Sequence, residues 1–248
     1  MWEDILIYIV IGFAAQMVDG AIGMAYGITS SSVLLSFGMP PATVSACVHA
    51  AETFTTAASG TSHWKLGNID KALVWRLAVP GVIGGIAGAY LLTKIDGNFV
   101  KPFVSAYLLL LGFFILWKAL RTDPQNSEPP DNIVALGLIG GFMDSIGGGG
   151  WGPIVTTSLI GQGTTPRYAI GSVNLAEFFV TAAISGTFFL TIGLELWPII
   201  AGLIIGGVVA APFAAVATKN LPDKTLMIIV GCVVVLLSLR TLLVAVHL

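Results

Sequence analysis

The sequence has little charge. Asp, Glu, Lys and Arg make up 10% of its 248 residues, and the formal net charge is −2. Because soluble domains typically carry about 25% charged residues, this composition excludes an ordinary soluble domain. The lack of a basic block also argues against nucleic acid as a partner. Hydrophobic residues make up 56% of the chain and the mean hydropathy is +0.92, which predicts an integral membrane protein.

Cysteine and histidine are also scarce. The two cysteines, Cys47 and Cys232, lie in apolar runs without a Cys-x-x-Cys spacing, as expected of small buried side chains. The three histidines have no metal-ligand spacing, and no P-loop or dinucleotide-binding fingerprint lies in a strand–helix context. We therefore expect no metal, no cofactor and no enzymatic activity.

Eight apolar segments follow one another along the chain. A membrane-spanning helix needs about 20 apolar residues, so six of the segments are expected to cross once. The first and the fifth are too long for one helix and too short for two, and a glycine-rich motif interrupts each, which predicts broken helices or tight hairpins. The acidic N-terminus lacks the basic residues of a secretory signal, so we expect the first segment to be retained. The segments are 5–37, 42–62, 72–93, 99–120, 133–161, 168–192, 196–218 and 225–246.

The two glycine-rich motifs belong to an internal repeat. An ungapped offset of 125 residues, the distance from Asp19 to Asp144, keeps the two halves in register far beyond the motifs. A polar, proline-rich stretch separates them, so we predict repeat one (1–121), a linker (122–132) and repeat two (133–248). The offset also aligns Gly12 with Gly137, Gly23 with Gly148, Gly27 with Gly152, Pro41 with Pro166, and Glu52 with Glu177.

Lysine and arginine indicate that the halves are inverted, because cytoplasmic loops are enriched in these residues. Lys65, Lys71 and Arg76 surround the turn after the second segment, whereas the equivalent turn near Glu195 has no Lys or Arg. If each glycine-rich segment is a hairpin, eight of the eleven basic residues fall inside, against six if it crosses once. The sequence therefore predicts an all-α membrane protein of two inverted repeats, each with about five helical elements, and both termini outside.

The glycine-rich motifs are candidates for a binding site. A helix that restarts inside the membrane presents backbone N–H groups and the positive end of its dipole, which together attract an anion. The alternative is that glycines only permit close helix packing, as we expect for Gly81, Gly84, Gly85 and Gly88. The predicted substrate-binding residues are Gly20, Gly23, Tyr26, Gly27, Thr29, His49, Gly148, Gly149, Trp151, Gly152 and Asn174.

Four acids at membrane depth are the predicted proton-coupling residues: Asp19, Glu52, Asp144 and Glu177. A carboxylate there costs at least about 2.5–3.5 kcal/mol, so it needs a partner or a proton. The two aspartates could cap the restarted helices, carry protons, or do both. The two glutamates lie in the middle of apolar helices, where they could carry protons or form an interhelical hydrogen bond.

Two pairs of equivalent positions also have two interpretations. His49 and Asn174 precede the glutamates by three residues and share their helix face, so they could bind an anion, or His49 could titrate or simply form a hydrogen bond. Tyr26 and Trp151 could form a gate or platform for the substrate, or pack around the helix breaks. We expect no Arg or Lys at the midplane, so an anion would depend on helix N-termini and hydroxyls.

The repeated pattern Gly-x₆-Asp-x₃-Gly-x₃-Gly, followed by Pro and then by a helix with Glu, resembles the TauE/SafE sulfite exporter family. The resemblance covers nearly the whole chain. It implies a multi-pass inner-membrane transporter of small sulfur-containing anions such as sulfite or organosulfonates. The family's glycine-rich segments correspond to residues 20–27 and 145–152 of this chain.

The resulting expectation is a secondary transporter that moves such an anion by alternating access with proton coupling, export being the favoured direction. Its partners would be the small anion and the lipid bilayer; the sequence carries no signal for an oligomeric state. The alternatives are a passive anion channel, cation transport through the acidic site, and an intramembrane enzyme or sulfur-relay protein that uses Cys47.

Overall fold

A computed structural model describes residues 5–22, 24–120, 132–162, 164, 166–193, 196–217 and 223–247, and the regular structure within these ranges is entirely helical. The predicted linker lies almost wholly outside the described residues; Asn132 is described, and its side chain accepts a hydrogen bond from Ala135 N–H at the start of a helix. The helices are α1 (Ile5–Ile22), α2 (Tyr26–Ser36), α3 (Pro41–Lys65), α4 (Lys71–Lys94), α5 (Gly97–Leu120), α6 (Ile133–Gly147), α7 (Thr157–Gly161), α8 (Pro166–Ile192), α9 (Trp197–Ala217) and α10 (Asp223–His247).

Both long apolar segments are interrupted at their glycine-rich motifs, as predicted. The first divides into α1 and α2, and the second into α6 and α7, with a π-helical turn at Gly152–Thr156 leading into α7. Gly148 ends α6 with a φ of +65°, a left-handed conformation that glycine adopts without a Cβ penalty. The helix breaks therefore lie where the sequence places its glycines.

Among the described residues, four helices are long and apolar enough to cross a membrane: Lys71–Lys94, Gly97–Leu120, Tyr168–Ile192 and Met227–Val244. Shorter apolar helices lie at Ile5–Asp19, Ile133–Gly147 and Trp197–Ala210. The second predicted span is also a single helix, α3, but its hydroxyl groups, His49 and Glu52 make it less apolar than the others. A polar helix of this length needs protein around it, and one side of α3 is buried over most of its length.

The main helix pairs join the two halves of the chain. Helix α1 packs chiefly on α9, α4 on α6 and α8, α3 on α8, and α5 on α10. At the offset of 125 residues, the α1–α9 pair is the counterpart of the α6–α4 pair, while α3–α8 and α5–α10 each join two equivalent helices. The halves are thus interleaved, and most of their packing is with each other.

Two of these pairs run in opposite directions. Along α3 and α8, Thr53 contacts Ser185, Gly60 faces Leu175, and Asp70 N–H beyond α3 donates to Ser172 Oγ at 2.8 Å. Along α5 and α10, Gly112 faces Val235 while Gly231 faces Leu116. In both pairs the residue numbers of the contacts rise along one helix and fall along the other, so the two helices are antiparallel.

Glycines allow the close approach of α4 and α6. A Cβ atom on Gly84 would overlap the carbonyl of Leu138, one on Gly88 would overlap the Ser145 hydroxyl, and one on Gly141 would overlap the carbonyl of Gly81. The prediction that the glycines of α4 serve helix packing is confirmed. Without a hydrophobic force between helices in lipid, such backbone contact is a main source of their association.

Gly141→Ala is expected to destabilise the fold. The added methyl group would meet the Gly81 backbone, which cannot rotate away, so we expect a loss of about 1–3 kcal/mol, as for overpacked cores. The loss should appear as a lower melting temperature in detergent. Gly186→Ala is the matched control, because a Cβ atom there has nothing within 4 Å. Equal melting temperatures for the two variants would contradict the packing assigned to Gly141.

Candidate functional site

The two glycine-rich motifs meet at a narrow cavity. Its lining includes all four acids predicted at membrane depth, two from each half of the chain. None of the lining residues is Lys or Arg. The lining residues are Asp19, Met24, Ala25, Tyr26, Gly27, Ile28, Glu52, Asp144, Gly149, Gly150, Gly152, Pro153 and Glu177.

Asp19 caps the start of α2. Its Oδ1 atom accepts hydrogen bonds from the backbone N–H groups of Ala25 (2.8 Å) and Tyr26 (3.2 Å). These are N–H groups that have no partner inside the helix they open. The carboxylate comes from the last turn of α1, so it also ties α1 to α2 across the break.

Asp144 makes the same contact in the second half. Its Oδ1 atom accepts from the N–H groups of Gly150 (2.6 Å) and Trp151 (3.0 Å), the positions equivalent to Ala25 and Tyr26. Of the two roles that the sequence left open for the aspartates, the capping contact is present in both copies. Their role in carrying protons stays a prediction.

The two motifs cross at Gly27 and Gly149. A Cβ atom on Gly27 would lie 2.8 Å from both Gly148 O and Gly149 Cα, and one on Gly149 would overlap the backbone at Ile28. Ser31 Oγ donates to Gly148 O at 2.5 Å and so joins α2 to the end of α6. Backbone-to-backbone contact of this kind requires glycine on both sides, and it brings the acids of the two halves to one cavity.

Glu52 and Glu177 approach the cavity from α3 and α8, the antiparallel pair. Glu52 is 4% exposed, and a Cβ atom on Gly27 would lie 2.8 Å from its Oε1 atom. Its Oε2 atom has no hydrogen-bond partner among the described residues. The charges of Asp19, Asp144 and Glu177 all act on Glu52, so several ionised carboxylates here would repel one another.

His49 lies behind the cavity and contacts Asp144 from the other half of the chain. Its Nε2 atom is 3.1 Å from Asp144 Oδ2, and both side chains are buried. On the other side of the ring, Nδ1 is 2.8 Å from the carbonyl oxygen of Ser45. The Ser45 hydroxyl in turn donates to the carbonyl of Ser145 at 2.5 Å. The His49 side chain therefore connects its own helix, α3, to α6.

Tyr26 and its repeat counterpart Trp151 lie where the chain becomes helical again after each break. The Tyr26 hydroxyl donates to Leu203 O at 3.0 Å, and Tyr26 lines the cavity. Trp151 is fully buried against Gly81, with its Nε1–H donating to Val173 O at 3.3 Å. This is the packing expected around a helix break, and a gate or platform role remains a prediction.

For four other predicted substrate-binding positions, the structure gives only the location. Thr29 and Asn174 are buried near the cavity without lining it. Gly20 lies within α1, and Gly23 lies outside the described residues.

Sequence reasoning missed three residues at the site. Ser45 is four residues before His49, one helical turn away, and this spacing could have indicated a contact. Ser145 follows Asp144 directly. Tyr107 on α5 packs against Gly147 and Gly150, and its hydroxyl has no hydrogen-bond partner among the described residues. No sequence signal connects Tyr107 to the site, because it comes from a helix that forms no part of the motif.

A family model described as "Sulfite exporter TauE/SafE" matches residues 8–241. The chain belongs to the TauE/SafE sulfite exporter family. The match spans both glycine-rich motifs and every lining residue of the cavity. The family and the similar proteins are described as membrane transporters and not as enzymes, so the expectation of a membrane transporter is confirmed.

Among curated proteins, this TauE/SafE chain is similar to the "Probable membrane transporter protein YtnM" of Bacillus subtilis (strain 168), with 40% identity over 97% of this chain and 83% of the relative. It is also similar to the "Probable membrane transporter protein YdhB" of the same organism, with 23% identity over 89% of this chain and 93% of that protein. A third relative, "Probable membrane transporter protein ORF9" of a Sinorhizobium species, is 25% identical over 74% of this chain and 66% of its own length. No solved structure matches the chain.

Replacing Asp19 tests its capping role in this TauE/SafE fold. Asp19→Ala leaves the Ala25 and Tyr26 N–H groups without their acceptor, and loss of a cap costs about 0.5–2 kcal/mol. Asp19→Asn keeps an acceptor oxygen, so its melting temperature should stay closer to that of the unmodified protein. Melting curves in detergent compare the two. Equal melting temperatures for Asp19→Ala and Asp19→Asn would contradict the cap.

Proposed function

We propose that this protein is a secondary transporter that moves a small sulfur-containing anion, sulfite or an organosulfonate, across the cell membrane with protons. Family membership supports the substrate class and the membrane location. The single observation that carries the proton coupling is the meeting of four carboxylates, without Lys or Arg in the lining, at one cavity between the halves.

The electrostatics of the cavity support movement of the anion together with protons. An anion beside four ionised carboxylates would be strongly repelled, and the caps already occupy two backbone N–H groups at each helix start. Protonation removes the repulsion, and a bound anion in turn favours protonation, because linkage between two ligands is reciprocal. The proposed cargo is therefore the anion plus at least one proton.

Export is compatible with this cargo. A divalent anion that leaves with a single proton still carries one negative charge outward, and an inside-negative membrane potential drives that charge out. We propose export as the favoured direction on this basis, in agreement with the family description. If the anion instead moved with as many protons as its charge, no net charge would cross the membrane. The membrane potential would then not drive export, and an inward proton gradient would favour uptake.

We also propose that residues 1–121 and 133–248 are inverted repeats, and that one rocks against the other in alternating access. The antiparallel contacts of α3 with α8 and of α5 with α10 support this, because equivalent helices that oppose each other imply a symmetry axis in the membrane plane. The cavity then lies where the two repeats meet.

Cation transport is the second candidate, since four acids in one cavity could equally attract a positive ion. Proteoliposomes separate the two functions. Radiolabelled sulfite should cross the membrane of the proteoliposomes. It should cross faster when the imposed pH gradient drives protons in the same direction as sulfite. Sodium movement without any sulfite movement would overturn the proposed function.

Glu52→Gln and Glu177→Gln should weaken the pH dependence of sulfite binding. Glutamine cannot ionise, so at alkaline pH the apparent affinity should exceed that of the unmodified protein by roughly tenfold, equivalent to about 1.4 kcal/mol. The measurement is the sulfite concentration that half-saturates the flux at several pH values. Asp96→Asn is the control, because Asp96 is exposed and caps α5 far from the cavity. An unchanged pH dependence would favour a passive anion channel.

Cysteine labelling tests the inverted arrangement. In a Cys47→Ser/Cys232→Ser background, Lys71→Cys and Leu196→Cys occupy equivalent positions at the starts of the fourth helix of each half. We expect a membrane-impermeant maleimide to reach Leu196→Cys in intact cells and Lys71→Cys only from the cytoplasmic side, because Lys71 lies in the basic turn. Labelling of both from one side would contradict inversion.

A further inference from the structure

The hydrogen positions on His49 follow from its partners. The Nδ1 atom lies 2.8 Å from the carbonyl oxygen of Ser45 and 3.1 Å from the Ser45 hydroxyl oxygen. A carbonyl oxygen only accepts, and the hydroxyl gives its one hydrogen to the carbonyl of Ser145. Both neighbours of Nδ1 are therefore acceptors, and Nδ1 carries a hydrogen.

The opposite nitrogen then determines how many protons the pair holds. With Nδ1 protonated, a neutral ring has a lone pair on Nε2, and an ionised carboxylate also offers only lone pairs. The 3.1 Å contact between Nε2 and Asp144 Oδ2 therefore contains one proton, bound to either atom. Without a proton between Nε2 and Oδ2, two lone pairs would face and repel each other. With a proton on both atoms, two hydrogens would face each other.

We propose that the His49–Asp144 pair is the proton-carrying site of the transport cycle, holding one proton for as long as α3 and α6 remain in contact. This inference rests on the proposed proton-coupled transport. Loss of the proton turns an attraction into a repulsion at a site where neither side chain reaches water. Proton release is therefore linked to separation of α3 in repeat one from α6 in repeat two.

The equivalent positions in the other half of the chain do not include such a His–Asp pair. At the offset of 125 residues, Asn174 is equivalent to His49 and Asp19 to Asp144, and an amide does not titrate. Ile170 takes the place of Ser45 and has no hydroxyl to donate. Thr156 takes the place of Ser31, and its hydroxyl has no hydrogen-bond partner among the described residues. Three polar contacts join α2 or α3 to the end of α6, and they are made by Ser31, Ser45 and His49. Of these, the His49 contact requires a proton shared with Asp144.

The surrounding charges link this proton to the anion. Glu52 on α3, Glu177 on α8 and Asp19 on α1 line the same cavity as Asp144, and Tyr107 on α5 lies close enough for the Asp144 charge to act on it. None of these groups is cationic, so each negative charge near the pair favours retention of its proton. An anion that enters the cavity adds to this effect. Binding of the proton to the pair and binding of the anion to the cavity are therefore cooperative.

The test compares sulfite flux in proteoliposomes with and without a pH gradient, each variant normalised to its own downhill flux. His49→Asn reproduces the residue of the equivalent position, and Asp144→Asn keeps an acceptor for Gly150 and Trp151. Both should still pass sulfite down its gradient, but the accumulation that a pH gradient drives should fall by roughly tenfold, within the usual range of coupling between two ligands. Asp19→Asn removes an acid of the same cavity but not the histidine contact, so its gradient dependence should fall less than that of Asp144→Asn.

His63→Gln is the matched histidine control. His63 is half-buried at the end of α3, where its ring contacts Asn68 rather than an acid, so its removal should leave the coupling unchanged. Full gradient-driven accumulation in His49→Asn would overturn the inference while leaving the proposed function intact. Equal loss in Asp19→Asn and Asp144→Asn would overturn it as well. Absence of sulfite flux in the unmodified protein would instead overturn the proposed function.

A spectroscopic measurement reads the pair without transport. In a His63→Gln/His247→Gln background, the nitrogen resonances of the single remaining histidine report the hydrogen on each ring nitrogen. We expect a protonated Nδ1 and a hydrogen-bonded Nε2, and a shift of the Nε2 resonance in Asp144→Asn. A ring with its hydrogen on Nε2 alone would overturn the proton count.

Discussion

The structure depends on two carboxylates that accept hydrogen bonds from backbone N–H groups inside the membrane region. A helix that starts in an apolar interior has N–H groups without water, and each unsatisfied group is costly. Asp19 supplies the acceptor at the start of α2, and Asp144 supplies it at Trp151. Because each carboxylate belongs to the preceding helix, the bond that makes the break possible also holds together the two helices that flank it.

The site follows from these two breaks. Each break exposes backbone, and the crossing at Gly27 and Gly149 covers the backbone of one motif with that of the other. The same crossing gathers the four acids around one cavity, where none can ionise without affecting the rest. Stability of the breaks and the proposed proton coupling therefore have a common origin, and a change to either glycine is expected to disturb both.

The two halves differ at the positions where a transport cycle needs direction. Two equivalent aspartates have the same capping role, yet within the part of the chain that the structure describes only Asp144 contacts a histidine. A symmetric pair of acids could bind a proton on either side with equal affinity, whereas the proposed proton site at one His–Asp pair would make the two sides different. The small differences between the repeats, His49 against Asn174 and Ser45 against Ile170, carry more functional information than the repeated residues.

Much of this could be predicted from the sequence alone. Low charge and long apolar runs require helices in lipid, and the offset of 125 residues reveals the repeat, the helix breaks and the acids, because these depend on local composition and spacing. Which acids share a cavity, and that Ser45, Ser145 and Tyr107 join them, depends on helices distant in sequence packing together. Only the tertiary structure brings His49 of one half to Asp144 of the other, because that contact is made across the interface between the halves and has no spacing along the chain to reveal it.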